Sequence, residues 1–169
     1  MLIRQETAQD HDEVNRLVQK AFAGAEHADG NEADLVAALR QSAAFVPELS
    51  LVAQEDGRLV GYILFTEGRV GADTVLILAP LAVLPEYQRR GIGAALIREG
   101  HRIAEERGYA VILVLGSTDY YPRFGYRPAE QFGILVPDGL PAAHFMAIRL
   151  RDDVKPIGGA VTYPREFGI

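Results

Sequence analysis

Residues 74–115 constrain the fold of this chain more strongly than any other segment. A strand of apolar composition over residues 74–83 precedes a helix over residues 92–107, which Gly108 is expected to end. Residues 110–115 follow as a continuous apolar run, which is typical of a strand buried on both faces of a sheet. Strand, helix and buried strand in this order predict a parallel βαβ crossover.

The other predicted strands indicate antiparallel pairing. We expect strands at residues 2–4, 49–55, 58–67 and 144–150. Asp56 and Gly57 supply the positive φ that a tight hairpin turn requires. Pro80 cannot donate a ladder hydrogen bond, so we predict a local break or bulge in the strand that contains it.

Two helices are predicted before the first hairpin. Thr7 is the expected cap of the first, and the second is expected to begin at Asn31. Apolar residues recur three and four positions apart, so each helix has one face for the core. The expected inward residues are Val14, Leu17, Val18, Ala21 and Phe22 in the first helix, Leu35 and Leu39 in the second, and Ile92, Leu96 and Ile103 in the crossover helix.

These elements predict an α+β fold with a mostly antiparallel sheet and one parallel crossing. No linker or repeat divides the 169 residues, so we expect one domain over residues 1–169. The absence of cysteine excludes a thiolate nucleophile and a cysteine-ligated zinc site. His11, His27 and His101 lack metal-ligand spacing, so no metal is expected.

The charge balance limits the partners of the chain. It has 17 basic and 23 acidic residues, and the net charge of −6 disfavours nonspecific nucleic-acid binding. No apolar run approaches the roughly 20 residues of a membrane helix. The first residues lack the basic and apolar regions of a secretory signal. We therefore expect a cytoplasmic protein without nucleic-acid or membrane partners.

The turn between the strand and the helix of the crossover has the character of an anion site. Gly91 and Gly93 allow close approach to backbone N–H groups at the positive end of a helix dipole, and Arg89 and Arg90 add charge. A plain connection with exposed arginines is the simplest alternative. A dinucleotide fingerprint would need glycine where Leu96 stands, and a P-loop would need Gly-Lys-Ser/Thr.

Two motifs resemble those of the GCN5-related N-acetyltransferase (GNAT) superfamily, including its small bacterial members. Residues 81–93 contain Leu-x-Val-x-Pro and then Gln-x-x-Gly-x-Gly, which is similar to that superfamily's loop for the coenzyme A pyrophosphate. Residues 121–126 contain Tyr-x-x-x-Gly-Tyr, which is similar to its Tyr-x-x-x-Gly-Phe motif. The resemblance implies a mixed, mostly antiparallel sheet with one splayed parallel strand pair and flanking helices.

The resemblance also implies where acetyl-CoA, as a co-substrate, would bind. The residues implied in coenzyme binding are Leu81, Ala82, Val83, Gln88, Arg89, Arg90, Gly91, Ile92, Gly93 and Ala94. The Val83 N–H would donate to the thioester carbonyl. Tyr121 would protonate the departing thiolate, and neighbouring Tyr120 could share that role. The chain lacks the Asn that many relatives carry after the buried strand, so coenzyme contacts there are left open.

The implied function is direct transfer of an acetyl group from acetyl-CoA to a primary amine of a small molecule or peptide. No glutamate within residues 74–83 is available as general base, and the other candidates are Asp119, Glu67, His144 and water. Four acidic residues near the second helix could attract a cationic amine or simply complement the helix dipole, namely Glu26, Asp29, Glu32 and Asp34. A noncatalytic acyl-CoA-binding module and a longer acyl donor are the alternatives. A homodimer through residues 161–169 is also open.

Overall fold

The computed structural model describes residues 1–24 and 30–169, and the strands of these residues form one sheet. The strands are β1 (Leu2–Gln5), β2 (Phe45–Glu55), β3 (Arg58–Val70), β4 (Asp73–Val83), β5 (Val111–Leu115), β6 (Arg127–Pro128), β7 (Phe145–Arg149) and β8 (Val161–Thr162). Their order across the sheet is β1-β2-β3-β4-β5-β7-β6, and β8 pairs with β3. The helices are α1 (His11–Phe22), α2 (Glu32–Arg40) and α3 (Ile92–Glu106).

The parallel crossover is confirmed. Strand β4 pairs in parallel with β5, and α3 connects them, whereas the other strand pairs in the sheet formed by the described residues are antiparallel. Strand β5 is buried along most of its length, as its uninterrupted apolar sequence predicts. The predicted α+β fold is therefore the observed one.

The predicted break at Pro80 is also confirmed. Ile63 of β3 pairs with Leu81, whereas Phe65 pairs with Leu78, so one residue of β3 faces two of β4 at this point. A proline lacks the N–H that regular pairing requires, and a bulge removes that requirement. The bulge lies just beyond the last residue of β4 that pairs with β5, which is Leu78.

The N-terminal helices begin where the sequence indicates. Thr7 and Asp10 form a capping box, in which the Thr7 N–H donates to Asp10 Oδ2 at 2.7 Å. Arg4 holds the same carboxylate with two hydrogen bonds of 2.8 and 3.0 Å, and this contact holds the pKa of Asp10 well below its usual range. A 3₁₀ turn precedes α1, and Asn31 directly precedes α2.

The expected inward face of α2 is confirmed. Leu39 is buried, and Leu35 is half-buried, packs against the core and also lines a cavity. Val36 is buried as well and was not expected, because the inward stripe of this helix also includes the position next to Leu35. The β6 and β8 strands were not expected, because two-residue strands are too short to show an alternating pattern.

Helix α3 packs closely on the sheet through a glycine. Gly100 is buried, and a Cβ built on it would lie 2.2 Å from Cε2 of Phe65, whose side chain is fully buried in β3. Ile97 and Ala104 are buried beside it, in addition to the expected Ile92 and Leu96. This close contact sets the distance between α3 and the sheet. None of the helices in residues 1–24 and 30–169 is long and apolar enough to cross a membrane.

We predict that Gly100→Ala destabilises the protein. An alanine in an open helix position would stabilise the fold by about 1 kcal/mol relative to glycine, but here the methyl group collides with the Phe65 ring. We expect the free energy of unfolding in urea to fall by about 1–3 kcal/mol. The loss should be smaller in a Phe65→Leu background, where the ring is absent. A stabilising Gly100→Ala would contradict the close contact.

Candidate active site

A gap opens in the sheet where β4 and β5 part. Pairing between them covers Leu76–Leu78 and Ile112–Val114 and does not continue along β4. The Leu84 N–H donates to the Val60 carbonyl at 2.9 Å, and backbone groups alternate sides along an antiparallel strand. The N–H and C=O groups of Leu81 and Val83 therefore point away from β3 and into the gap. They form a short strand edge that has no neighbouring strand.

The loop after β4 is tied to this edge and ends at the start of α3. The Gln88 side chain donates to the Val83 carbonyl at 3.2 Å. Arg89 and Gly91 have positive φ values of 63° and 82°, so the loop turns sharply twice before α3 begins. A glycine at residue 91 adopts the left-handed conformation without strain.

The loop presents a row of unpaired amides. The first helical hydrogen bond of α3 joins the Ala95 N–H to the Gly91 carbonyl at 3.0 Å. The backbone N–H groups of residues 89–94 therefore donate to no backbone carbonyl among the described residues. These N–H groups lie at the positive end of the helix dipole. An anion is the ligand that such a helix start favours.

A cavity of about 730 Å³ lies over this loop, and we call it the arginine-lined cavity. It is lined by Leu81, Val83, Tyr87, Gln88, Arg89, Gly91, Ile92, Gly93, Ala94, Arg98, Tyr120, Arg123, Phe124. Three of these side chains are cationic, and none of the described lining residues is acidic. Free amides and arginines together suit a ligand with several negative charges.

The structure brings most of the predicted coenzyme-binding residues to this cavity. The two that do not line it are Ala82, which is buried and directs its backbone groups toward β3, and Arg90, whose guanidinium stacks on the Tyr87 ring at 5.0 Å. Sequence reasoning missed Arg98 and Arg123. The spacing from Ala94 to Arg98 is one helical turn, and this signal could have identified Arg98. No local signal marks Arg123.

A second cavity of about 530 Å³, which we call the aromatic cavity, adjoins the first. It is lined by Phe22, Glu32, Leu35, Ile77, Leu78, Ala79, Pro80, Leu81, Leu115, Gly116, Ser117, Tyr120, Tyr121, Tyr163, Phe167, Ile169. Leu81 and Tyr120 line both cavities and so form the wall between them. The two cavities are therefore direct neighbours, divided by these two side chains.

Two tyrosines lie at or beside this wall: Tyr120 lines both cavities, whereas Tyr121 lines the aromatic cavity and not the arginine-lined one. The Tyr120 hydroxyl lies over Gly93, where a built Cβ would be 2.6 Å away. Tyr121 packs edge-on against the rings of Tyr120 and Tyr126, with centroid distances of 5.3 and 5.7 Å. Burial raises the pKa of Tyr121, and the neighbouring Tyr120 adds to this rise. Burial also raises the pKa of Tyr120, so both hydroxyls carry their protons at neutral pH.

The candidate general bases lie outside the two cavities. Glu67 accepts a 2.5 Å hydrogen bond from the Tyr109 hydroxyl, while Asp119 and His144 are exposed. None of these three candidates lines either cavity. Of the acidic residues near α2, Glu32 lines the aromatic cavity and Asp34 is exposed, while Glu26 and Asp29 lie outside the described residues. The described residues also contain no cluster of three or more His, Asp or Glu side chains that could hold a metal ion.

Tyr126 links the junction to a half-buried histidine. His101 Nε2 lies 2.9 Å from the Tyr126 hydroxyl, and the two rings are in contact. Desolvation by burial lowers the pKa of His101 from 6.5 to about 4. The imidazole is therefore neutral in the folded protein at neutral pH.

Comparison with known protein families gives a match that covers most of the chain. Residues 12–126 match the acetyltransferase (GNAT) family. The chain is 39% identical over 140 residues to the uncharacterized N-acetyltransferase YjhQ of Escherichia coli K12, and the match spans 80% of this chain and 75% of that protein.

Solved structures agree with this match. A GNAT family acetyltransferase from Brucella melitensis in complex with acetyl-CoA superposes with a TM-score of 0.82 at 33% identity, over 98% of this chain and 97% of that one. The GNAT family N-acetyltransferase YhbS from Escherichia coli in complex with CoA gives a TM-score of 0.88 at 31% identity, over 99% and 92% of the two chains.

We predict that burial of His101 makes stability depend on pH. The unfolded chain binds a proton at this histidine below its ordinary pKa of 6.5, whereas the folded chain resists it down to about 4, so stability falls as the pH falls through that window. Compared with His101→Gln, the wild type should lose about 2 kcal/mol more unfolding free energy between pH 7.5 and pH 5. Urea unfolding at both pH values measures this difference. His144→Gln, at an exposed histidine, should keep the wild-type pH dependence; an equal change in both variants would contradict the role of burial.

Proposed function

This chain belongs to the GNAT family of acetyltransferases, and on that premise we propose that it transfers an acetyl group from acetyl-CoA directly to a primary amine. The observation that carries the proposal is the junction of two cavities of different chemistry at Leu81 and Tyr120. The arginine-lined cavity suits the phosphates of a coenzyme, and the aromatic cavity offers room for an acceptor. The complexes of the Brucella melitensis relative with acetyl-CoA and of YhbS with CoA support the choice of coenzyme.

The chain's own backbone would hold the coenzyme. The pantetheine arm carries amide groups. These groups could form hydrogen bonds with the strand edge of Leu81 and Val83, as an additional strand of the sheet would. The free amides of residues 89–94 face the place where the pyrophosphate would lie, and the absence of a side chain at Gly93 lets the Tyr120 hydroxyl pack against the start of α3. Arg89, Arg98 and Arg123 would balance the phosphate charges.

The same residues suggest the steps of the transfer. The Val83 N–H would donate to the thioester oxygen as the neutral amine attacks the carbonyl carbon. As the carbon–sulfur bond breaks, Tyr121 would give its hydroxyl proton to the leaving thiolate and regain a proton from water. The attacking nitrogen would lose its extra proton to water. The chain has no cysteine, so the one thiol in this scheme belongs to the coenzyme.

Two further proposals concern the setting of the reaction. The first is a cytoplasmic location. A homodimer through residues 161–169 stays a prediction. Part of that segment pairs with the chain's own β3, with Thr162 opposite Arg69 and Val161 opposite Val70. A dimer contact would therefore use only the outer face of this segment.

We predict that Arg98→Gln weakens acetyl-CoA binding. Removing one cation from the arginine-lined cavity should raise the Kd by roughly tenfold or more, because a charge-assisted hydrogen bond is lost. Isothermal calorimetry measures the change. Arg102→Gln is the matched control, since Arg102 lies on the same helix, is paired with Glu99 and Glu106, and does not line the cavity. Absence of acetyl-CoA binding by the wild type, or equal effects of both variants, would refute the coenzyme assignment.

We also predict that Tyr121→Phe lowers turnover without weakening coenzyme binding. Loss of a general acid should reduce kcat by about a hundredfold, and the Kd for acetyl-CoA should change by less than about threefold because the ring stays in place. Release of free thiol across a panel of primary amines measures turnover.

Tyr120→Phe, measured in the same assay, distinguishes the roles of the two tyrosines. A larger fall in kcat for this variant would move the acid role from Tyr121 to Tyr120. Equal losses of turnover and affinity in Tyr121→Phe would contradict an acid role for that residue. Coenzyme binding without thiol release for any amine would favour a noncatalytic binding module, and faster release from a longer acyl-CoA would favour another donor.

A further inference from the structure

A carboxylate without a partner lies in the wall of the aromatic cavity. Glu32 is the first residue of α2 and lines this cavity. Both of its carboxylate oxygens are buried, each exposing less than 1 Å², and neither accepts a hydrogen bond from the residues that the structure describes. Burying a carboxylate that accepts no hydrogen bond lowers the stability of the fold unless a cation or a hydrogen-bond donor reaches it.

The surroundings of Glu32 define what could reach it. Among the described residues that line the aromatic cavity, Glu32 has the one charged side chain. The aromatic side chains there are Phe22, Tyr120, Tyr121, Tyr163 and Phe167. Aromatic faces attract cations and also pack against apolar groups. A ligand with a positive charge on an apolar body satisfies both the carboxylate and the rings.

A positive charge bound at Glu32 would not be that of the reacting nitrogen. An ammonium group beside a buried carboxylate is stabilised in its charged form, whereas attack on a thioester requires a neutral amine. The reacting nitrogen must reach the wall shared by the two cavities at Leu81 and Tyr120. Glu32 enters the cavity from another element, α2.

We propose that Glu32 selects the acceptor, and that the acceptor carries a second cationic group on an apolar body. Glu32 binds this second charge and leaves the other amine free to react. The inference rests on the proposed function insofar as the aromatic cavity is taken as the acceptor site.

Asp34 provides a matched control for Glu32. Asp34 lies in the same first turn of α2 as Glu32, so both carboxylates interact with the positive end of this helix. Asp34 is exposed and does not line the aromatic cavity. Asp34→Asn therefore removes the same charge from the same turn without changing the lining of the aromatic cavity.

The test compares three rigid amines that differ at the end far from one aminomethyl group. They are para-xylylenediamine, para-methylbenzylamine and para-(aminomethyl)benzoate, whose distal groups are cationic, neutral and anionic. Binding of each to the CoA-saturated protein is measured by calorimetry, which needs no turnover. The wild type should bind the diamine at least tenfold more tightly than the neutral amine, and the benzoate least, as expected for a charge-assisted contact.

The variants should change this order in a defined way. Glu32→Gln should abolish the preference for the diamine, and Glu32→Lys should reverse the order in favour of the benzoate. Asp34→Asn should keep the wild-type order. Unchanged affinity for CoA in each variant shows that the fold is intact.

Several results would overturn the inference. They are equal binding or no binding of the three amines by the wild type, a preference that persists in Glu32→Gln, and equal effects of Glu32→Gln and Asp34→Asn. A uniform fall in kcat for all amines in Glu32→Gln, with no dependence on the distal charge, would assign Glu32 to proton transfer instead. Charge-selective binding without thiol release would support Glu32 as the selector and refute the proposed transfer, so the two failures are distinct.

Discussion

The site depends on the parting of β4 from β5. Strand β4 keeps its hydrogen bonds to β3 up to its end, but its parallel partner is paired only as far as Leu78, and the bulge at Pro80 follows directly. An unpaired strand edge inside a sheet is costly unless something binds to it. The parting leaves the backbone groups of Leu81 and the Val83 N–H without a partner strand, while the Val83 carbonyl accepts from Gln88, and it separates the sheet near the start of α3. Both cavities border this gap.

The two cavities differ in charge although the chain as a whole is acidic. The net charge of −6 predicts little attraction for anions, yet three arginines and a helix start face one cavity. The other cavity carries a single acidic side chain among aromatic rings within the described lining. Local geometry thus overrides the average field at short range, because charges within a few ångströms are screened much less than charges at a distance.

Local sequence signals predicted those parts of the fold that local rules determine. Gly108 ends α3 because a left-handed cap favours glycine, and the apolar run before Leu115 forms a buried strand. The loop at residues 88–93 was predicted from glycine spacing and a family resemblance. Arg123 was missed, and Glu32 was named only as one of four acidic residues that could attract a cationic amine, because the contribution of each depends on which elements meet in space. A single acidic residue at a helix start has the same local pattern whether it is exposed or buried.

The walls of the two cavities come from different parts of the chain. The arginine-lined cavity is built from residues 81–124, whereas the aromatic cavity also takes Phe22, Glu32 and Leu35 from the N-terminal helices and Tyr163 and Phe167 from the last residues. With the two cavities assigned as proposed, changes in these outer segments would alter the surroundings of the acceptor and leave those of the coenzyme intact. Such a chain could diverge in what it modifies while its source of acyl groups stays the same, since the two requirements would be encoded in separate stretches of sequence.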